Sequence, residues 1–273
     1  MFEADKRMKN IFVAFSAISA VSVLAAILIS CGSSEVTQNF SAEDRFAMGM
    51  KKFGDGDYLE AISDFQNITL QFPGSSVADK AQYYIGESHF KRSEFLLASE
   101  SYQTLRRTMP ASPLVAVAQY KIALCYYNLS PTEPLDEKYL NKAIDEFQAF
   151  LEYYPKDENA PDADAKIKEL KVRLAKRLFE TAGLYMRMEY FRSATIYYDL
   201  VIEKYYDTEF AEPAYLGKAH SLISRNKYAD AAKVIDKFLE KYPNSERKKD
   251  AESLRSEVQD HLRGNSSAAG LRP

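Results

Sequence analysis

The chain has 273 residues, of which 46% are hydrophobic and 27% charged, and its formal net charge at pH 7 is −3. This length suffices for one large domain or for an extended repeat array with a continuous core. The near-neutral charge gives no sign of the basic patch that a nucleic-acid-binding surface needs. With only two cysteines, Cys31 and Cys125, no disulfide framework can be argued.

The first thirty residues have the layout of a bacterial secretion signal. Three cations, Lys6, Arg7 and Lys9, precede an apolar run over residues 11–29 that only serines interrupt. A basic segment followed by an apolar run is typical of a signal peptide, so we predict that residues 1–30 are removed. The alternative is an uncleaved transmembrane anchor, because about 20 apolar residues are enough to span a bilayer.

The apolar run ends in the sequence LISC, residues 28–31, which resembles the lipobox of bacterial lipoproteins. The resemblance implies that Cys31 becomes the first residue and carries a diacylglycerol and an N-acyl chain such as palmitate, with no other cofactor. Each buried CH₂ group contributes about 0.8 kcal/mol, so several acyl chains hold a protein firmly on a membrane. Gly32 follows the cysteine, which by the sorting rule of such lipoproteins implies the outer membrane. Residues 31–40 are then a short tether.

One pattern then occurs five times along the chain. Each copy has Ala at its fourth position, a large apolar residue at its eighth and a bulky residue at its fifteenth, and Pro follows in all but the fourth copy, which has Tyr206. The copies begin at Tyr58, Phe95, Leu140, Phe191 and Tyr228. These offsets place the residues on one stripe of a helix. Pro ends the helix because its ring cannot continue the hydrogen-bond ladder.

A small residue lies upstream of each copy, where a preceding helix is expected to cross its partner. These residues are Gly49, Gly86, Ala123, Ala182 and Ala219. The order small, aromatic, Ala, aromatic, Pro resembles the tetratricopeptide repeat, a pair of antiparallel helices. The resemblance implies an all-α fold, a right-handed α-α superhelix (solenoid) of about five tetratricopeptide repeats. An irregular helical bundle is the alternative.

The spacing of the copies divides the rest of the chain into four segments. The last of them is small and polar, which is typical of a disordered terminus. The segments are residues 41–110 with repeats one and two, 111–160 with repeat three, 161–262 with a long helix and repeats four and five, and 263–273 as a disordered tail.

Three local signals refine this division. Ser41 and Asp44 have the spacing of a capping box, which predicts that the first helix starts there. A turn-rich insertion over residues 130–138 interrupts repeat three. Residues 162–188 contain no Pro, and their only interior helix breaker is Gly183, so they are predicted to form one unusually long helix.

The tetratricopeptide resemblance also indicates a binding surface. When the small residue is counted as position 8, positions 5 and 12 of the first helix of each repeat usually face the concave groove. In the first three repeats these positions hold six aromatic residues, Phe46, Phe53, Tyr83, Phe90, Tyr120 and Tyr127. We expect them to form a groove for an extended peptide with alternating aromatic residues. The alternative for each ring is packing between helices.

No pattern of catalytic or metal-binding residues is evident. The three histidines, His89, His220 and His261, lie far apart in the sequence and lack the spacing of metal ligands. No glycine-rich phosphate loop occurs either. We therefore predict no catalytic residue, no metal site and no enzymatic activity.

Two stretches resemble the BamD (YfiO) family of outer-membrane assembly lipoproteins. FPGSSVADKAQYYIG, residues 72–86, is similar to the family's junction between its first and second repeats. LKVRLAKRLFETAGLYMRMEYFRSA, residues 170–194, is similar to its long connecting helix, with Arg173 in the core motif Leu-x-x-Arg-Leu-Ala. The missing proline at Tyr206 and a different segment before the repeats are departures from the family.

The family resemblance implies a non-enzymatic lipoprotein on the periplasmic face of the outer membrane, within the machinery that assembles β-barrel proteins. The first repeats would bind unfolded outer-membrane proteins through their aromatic C-terminal signals, and residues 161–262 would bind a BamA-like barrel insertase. Arg173 would be a partner-binding residue or, alternatively, part of an internal salt bridge.

Two rival functions remain open at this point. One is another tetratricopeptide envelope lipoprotein that acts as a scaffold for cell-wall or division enzymes. The sequence barely separates this function from that of the barrel-assembly family. The other is a glycan-binding helical lipoprotein for nutrient uptake. Such sites rely on tryptophan platforms, and this chain has no Trp.

Overall fold

The computed structural model describes residues 40–130 and 137–269, with side chains as far as Arg263. The predicted signal peptide, Cys31 and the tether up to residue 39 lie outside the described residues, as does most of the insertion in repeat three. Within the described ranges no helix is both long and apolar enough to cross a membrane.

The described residues form eleven helices and no strands. The helices are α1 (Ala42–Asp55), α2 (Tyr58–Gln71), α3 (Ala78–Lys91), α4 (Phe95–Thr108), α5 (Val115–Leu129), α6 (Lys138–Tyr153), α7 (Ala160–Arg187), α8 (Phe191–Lys204), α9 (Ala211–Ile223), α10 (Tyr228–Lys241) and α11 (Lys248–Ala269). Each helix packs mainly against its neighbours in the chain. This nearest-neighbour arrangement is that of a solenoid, so α1 to α10 form five helical hairpins and α11 covers the end of the stack.

The residues that define the repeat form the core of each hairpin. The alanine at the fourth position of every copy is fully buried, and so is the large residue at the eighth position in all copies except Tyr198, which is 5% exposed. The alanines are Ala61, Ala98, Ala143, Ala194 and Ala231. The five-repeat, all-α prediction is therefore confirmed.

The small residues on the first helices allow a close approach to a large ring. A Cβ atom added at Gly86 would lie 2.5 Å from Cε1 of Tyr102, and one added at Gly49 would lie 2.7 Å from Cε1 of Phe65. Real Cβ atoms do not approach other atoms this closely, so these two crossings require glycine. Gly217, which the repeat pattern did not single out, has the same relation to the ring of Tyr198.

The second helix of every hairpin ends in the same way, whether or not Pro follows. At Phe72, which precedes a proline, the backbone N–H donates to the carbonyl of Ile68 with φ −131° and ψ 52°. At Tyr205, which precedes Tyr206, the N–H donates to the carbonyl of Val201 with φ −128° and ψ 39°. The turn geometry therefore persists without the proline.

Two other local predictions are confirmed. Ser41 and Asp44 form the capping box, in which the Asp44 N–H donates to Ser41 Oγ at 3.0 Å. The long helix is α7, which has 28 residues and extends slightly beyond the predicted start at residue 162.

The backbone of α11 extends as helix to Ala269, into the segment 263–273 whose predicted disorder stays a prediction. Between Lys248 and Ala269 the only strong helix-disfavouring residue is Gly264, and one glycine costs only about 1 kcal/mol in a helix. Residues 270–273 lie outside the described part.

We expect Gly86→Ala to destabilise the protein, although Ala is the better helix former. The new methyl group meets the buried Tyr102 ring, which cannot swing away because its hydroxyl is bound to Glu87. Overpacking costs about 1–3 kcal/mol, which exceeds the propensity gain of about 1 kcal/mol. The urea midpoint measured by circular dichroism at 222 nm should fall. Gly54→Ala is the matched control, since its Cβ would meet nothing within 4 Å, and it should leave the midpoint unchanged or raise it.

Candidate functional site

The six predicted groove residues all lie on the first helices of repeats one to three, but they are not equally accessible. Tyr120 is only 9% exposed. Its ring centroid lies 5.4 Å from that of Phe150, and its hydroxyl donates a hydrogen bond to Asp162. Burial and Asp162 both raise the pKa of Tyr120. The structure thus places Tyr120 in the core, because α7 covers it. The other five rings are partly exposed.

In repeats one and two the groove residues gather around a ring that the sequence analysis missed. Tyr84 lies 5.9 Å from Phe46, 5.2 Å from Phe53 and 5.6 Å from Tyr83, measured between ring centroids. The contacts with Phe46 and Phe53 join α1 to α3, and all three pairs are edge-on, which is favourable for aromatic rings. Tyr84 occupies position 6 of its repeat, directly after the predicted groove position of Tyr83. That adjacency is the only feature of the sequence that could have indicated its place in the cluster.

Between repeats two and three, an ion pair lies beside Phe90. Lys121 Nζ is 5.0 Å from the centroid of the Phe90 ring and 2.7 Å from Glu87 Oε1. The same carboxylate oxygen accepts a hydrogen bond from the Tyr102 hydroxyl at 2.6 Å. Burial first, and the Glu87 charge second, raise the pKa of Tyr102. The sequence analysis missed Lys121, whose charge and that of Glu87 satisfy each other across α3 and α5.

Between repeats three and four, Tyr127 lies next to two cations of the long helix. Lys166 Nζ is 4.5 Å and Arg173 Cζ is 5.5 Å from the centroid of the Tyr127 ring. The Tyr127 hydroxyl donates to Glu169 at 2.8 Å, and Glu169 also pairs with Arg173. The internal salt bridge considered for Arg173 is therefore present. Burial and then Glu169 raise the pKa of Tyr127.

Lys166 and Glu169 belong to a stripe that the sequence contains but that we did not identify. Positions 162, 166, 169 and 173 are three or four residues apart, so they lie on one face of α7. Asp162 pairs with Lys166 at 3.7 Å, which continues the stripe towards Tyr120. Only the packing of α7 against repeat three shows that this face meets the groove aromatics.

The chemistry of this surface is aromatic and electrically balanced. Lys121, Lys166 and Arg173 each lie over a ring, and each is paired with an acidic side chain. Such a surface can hold apolar and aromatic side chains through ring faces and edges, and it offers no net charge to attract a charged ligand. Among the described residues, no group of three His, Cys, Asp or Glu side chains is placed to hold a metal ion.

The stacked antiparallel hairpins and this aromatic surface define a tetratricopeptide-repeat protein. The YfiO family model, described as outer membrane lipoprotein, matches residues 38–221, and a tetratricopeptide-repeat model matches residues 213–245. The chain therefore belongs to the YfiO family of outer membrane lipoproteins.

Solved structures that resemble the chain are tetratricopeptide proteins. It is similar to the TPR2AB-domain:pHSP90-complex of yeast Sti1, with 17% identity over 83% of this chain and 86% of that chain and a TM-score of 0.38. It is also similar to a tetratricopeptide repeat protein from Parabacteroides merdae, with 14% identity over 84% and 76% of the two chains and a TM-score of 0.35. A third similar structure is TTC0263, a thermophilic TPR protein from Thermus thermophilus, with 17% identity over 81% of this chain and 99% of that chain and a TM-score of 0.35. No curated protein matches the chain.

We expect Lys121→Met to destabilise the protein by about 1–3 kcal/mol, because it leaves the mostly buried Glu87 carboxylate without its cation. The double variant Glu87→Gln with Lys121→Met should recover most of this loss, since a neutral amide oxygen still accepts from Tyr102. Lys142→Met is the control, because Lys142 lies 5.0 Å from the Tyr126 ring without an ion pair in the described part. Equal losses in Lys121→Met and in the double variant, measured by urea denaturation, would contradict this account.

Proposed function

We propose that the protein is a non-enzymatic component of the machinery that assembles β-barrel proteins in the outer membrane. In this role it binds unfolded barrel proteins and the barrel insertase, while lipid on Cys31 holds it at the periplasmic face. The observation that carries the proposal is the match to the YfiO family, which spans the first four repeats and the first helix of the fifth.

The surface of repeats one to three suits an unfolded barrel strand as substrate. Such a strand is extended, and its side chains alternate between apolar and polar. Phe90 and Tyr127 offer partly exposed rings with cations beside them. Because the cations are already paired, binding would depend on aromatic contact more than on charge. A surface of this kind can hold a strand and release it again without burying its whole backbone.

The insertase side is proposed to be the long helix with repeats four and five. Arg173 lies where the two sides meet, since it contacts both Glu169 on α7 and the Tyr127 ring on α5. A partner group that binds Arg173 must compete with Glu169. A shared residue at this place would bring the substrate and the insertase close together on one scaffold.

Co-purification from detergent-solubilised membranes, with mass spectrometry of the bound proteins, tests the proposal. We expect the barrel insertase among the partners and an N-terminal peptide that begins at an acylated Cys31. Depletion of the protein should lower the amount of folded barrel proteins in the outer membrane. Recovery of cell-wall or division enzymes alone, with normal barrel levels after depletion, would support the rival scaffold function instead.

The proposed substrate surface is tested by a double substitution of two of the five partly exposed groove rings. Phe90→Ser with Tyr127→Ser should weaken binding of a fluorescent peptide from the C-terminus of a barrel protein by about tenfold or more, since each lost aromatic contact is worth about 0.5–1.5 kcal/mol beyond its buried area. Tyr228→Ser in repeat five is the control, because Tyr228 stacks on His261 far along the chain from this surface. Equal peptide affinities of the wild-type protein, the double variant and the Tyr228→Ser control in anisotropy titrations would exclude the surface as the peptide site.

A further inference from the structure

The long helix α7 belongs to two separate hydrophobic cores, one for each half of its length. Ala182, in the second half, is buried in a core shared with α8 and α9, and Leu178 and Phe179 pack against that core. The first half is buried in the core of hairpins two and three through Ala163, Ile167, Leu170 and Leu174. Among the described residues, the two cores have no buried residue in common.

This division distinguishes α7 from an ordinary first helix such as α3. Ala81 and Ile85 of α3 are buried in the core of hairpin one, while Tyr83, between them, packs against the core of hairpins two and three. One stretch of α3 therefore contacts the second helices on both of its sides. In α7, which has 28 residues and is about 42 Å long, the contacts with α6 and α8 follow one another along the helix.

The solenoid is consequently narrowest at the middle of α7. Within the described residues, no helix from α1 to α6 packs extensively against any helix from α8 to α11, whereas α7 packs against both α6 and α8. A bend in the middle of α7 is therefore not opposed by a third helix that runs alongside it.

The start of α6 and the end of α8 meet beside the middle of α7 in a small group of side chains that we call the joint. Lys171 Nζ lies 2.9 Å from Asp207 Oδ2, and Arg177 Nη1 lies 3.2 Å from Glu137 Oε1. Tyr205, the residue after α8, packs against the core of hairpins two and three. Burial first, and the Glu137 charge second, raise the pKa of Tyr205. These five residues join the two ends of the solenoid outside α7 itself.

The polar contacts of the joint are weak. The four side chains of its two ion pairs are between 26% and 37% exposed. Ion pairs with this exposure contribute little to stability, and salt screens them. Arg177 Nη1 is also buried without a hydrogen bond in the described part of the chain, so its pair with Glu137 is not well directed. Neither pair can hold the joint against a partner that binds firmly.

The helix can change its curvature without breaking. Between residues 164 and 182, α7 contains neither Gly nor Pro, the residues at which sharp kinks usually occur. Long helices of this kind curve gradually while their backbone hydrogen bonds persist. The angle between the two halves can therefore vary while both hydrophobic cores stay intact.

We propose that α7 is a flexible joint between two rigid parts of the solenoid, and that the pairs Lys171–Asp207 and Arg177–Glu137 hold it at the angle seen here. The first part is α1 to α6 with the first half of α7, and the second part is the remainder. A partner that binds one angle more tightly than another shifts the population towards that angle. The inference does not depend on the partners proposed above.

Distances between nitroxide labels on pairs of introduced cysteines, measured by double electron–electron resonance on the full chain, test the joint. Glu152→Cys on α6 and Lys237→Cys on α10 span it, whereas Lys51→Cys on α1 and Glu152→Cys both lie in the first part, and all three positions are exposed. Cys125 is buried, and burial raises the pKa of its thiol to about 12, so it should remain unlabelled. The chain without introduced cysteines shows any label on Cys31.

The variant Lys171→Met with Arg177→Met removes both ion pairs of the joint. We expect the distribution of distances between residues 152 and 237 to broaden about 1.5-fold or more, because several angles are then populated in place of one. The distribution between residues 51 and 152 should not change. In the chain with native Lys171 and Arg177, raising NaCl from about 0.05 M to about 1 M should broaden the first distribution as well, since the Debye length falls to about 3 Å.

Lys168→Met with Lys176→Met is the matched control. It removes the same charge from α7, but Lys168 pairs with Asp164 and Lys176 with Glu180, all within the helix. We expect this control to leave both distributions unchanged.

Two results would overturn the joint. One is an unchanged distribution between residues 152 and 237 both in the joint variant and at high salt. The other is equal broadening in the control variant or between residues 51 and 152, because the whole solenoid would then be flexible. If the joint variant loses its circular dichroism at 222 nm, the salt series decides. Recovery of partners by co-purification is a separate measurement, so failure of the joint leaves the proposed function standing.

Discussion

The structure depends on the close approach of two helices where a small residue meets a large ring. Gly86 against Tyr102 and Gly49 against Phe65 leave no room for a Cβ atom, so the helix axes of the first two hairpins are drawn together. The alanines at the fourth positions are fully buried in all five hairpins. The spacing of a solenoid follows from this contact, because each hairpin is the template on which the next one packs. A wider crossing would open voids in every repeat, and voids in a close-packed core are costly.

The positions of the charged side chains on the proposed binding surface follow from the same helix spacing. Since α3 and α5 lie side by side, Lys121 reaches Glu87 and remains over Phe90. Since α7 packs against repeat three, Lys166 and Arg173 reach the Tyr127 ring. The cations are therefore held in place before any ligand arrives. A preorganised, electrically balanced surface loses little entropy on binding, which suits the proposed role of holding unfolded barrel proteins for a short time.

The amino-acid sequence by itself determined the hairpins, their number and their core. Ala61 and its four counterparts, the large apolar residues four positions later and the prolines act within one helix or one turn, so their spacing is visible along the chain. Only the tertiary structure decided which groove aromatics remain accessible. Tyr120 and Tyr127 are seven residues apart on one helix, yet α7, more than thirty residues downstream, covers the first with Asp162 and places Glu169 and Arg173 beside the second. Contacts between helices so distant in sequence depend on how the hairpins stack, and no periodicity within a single helix records that arrangement.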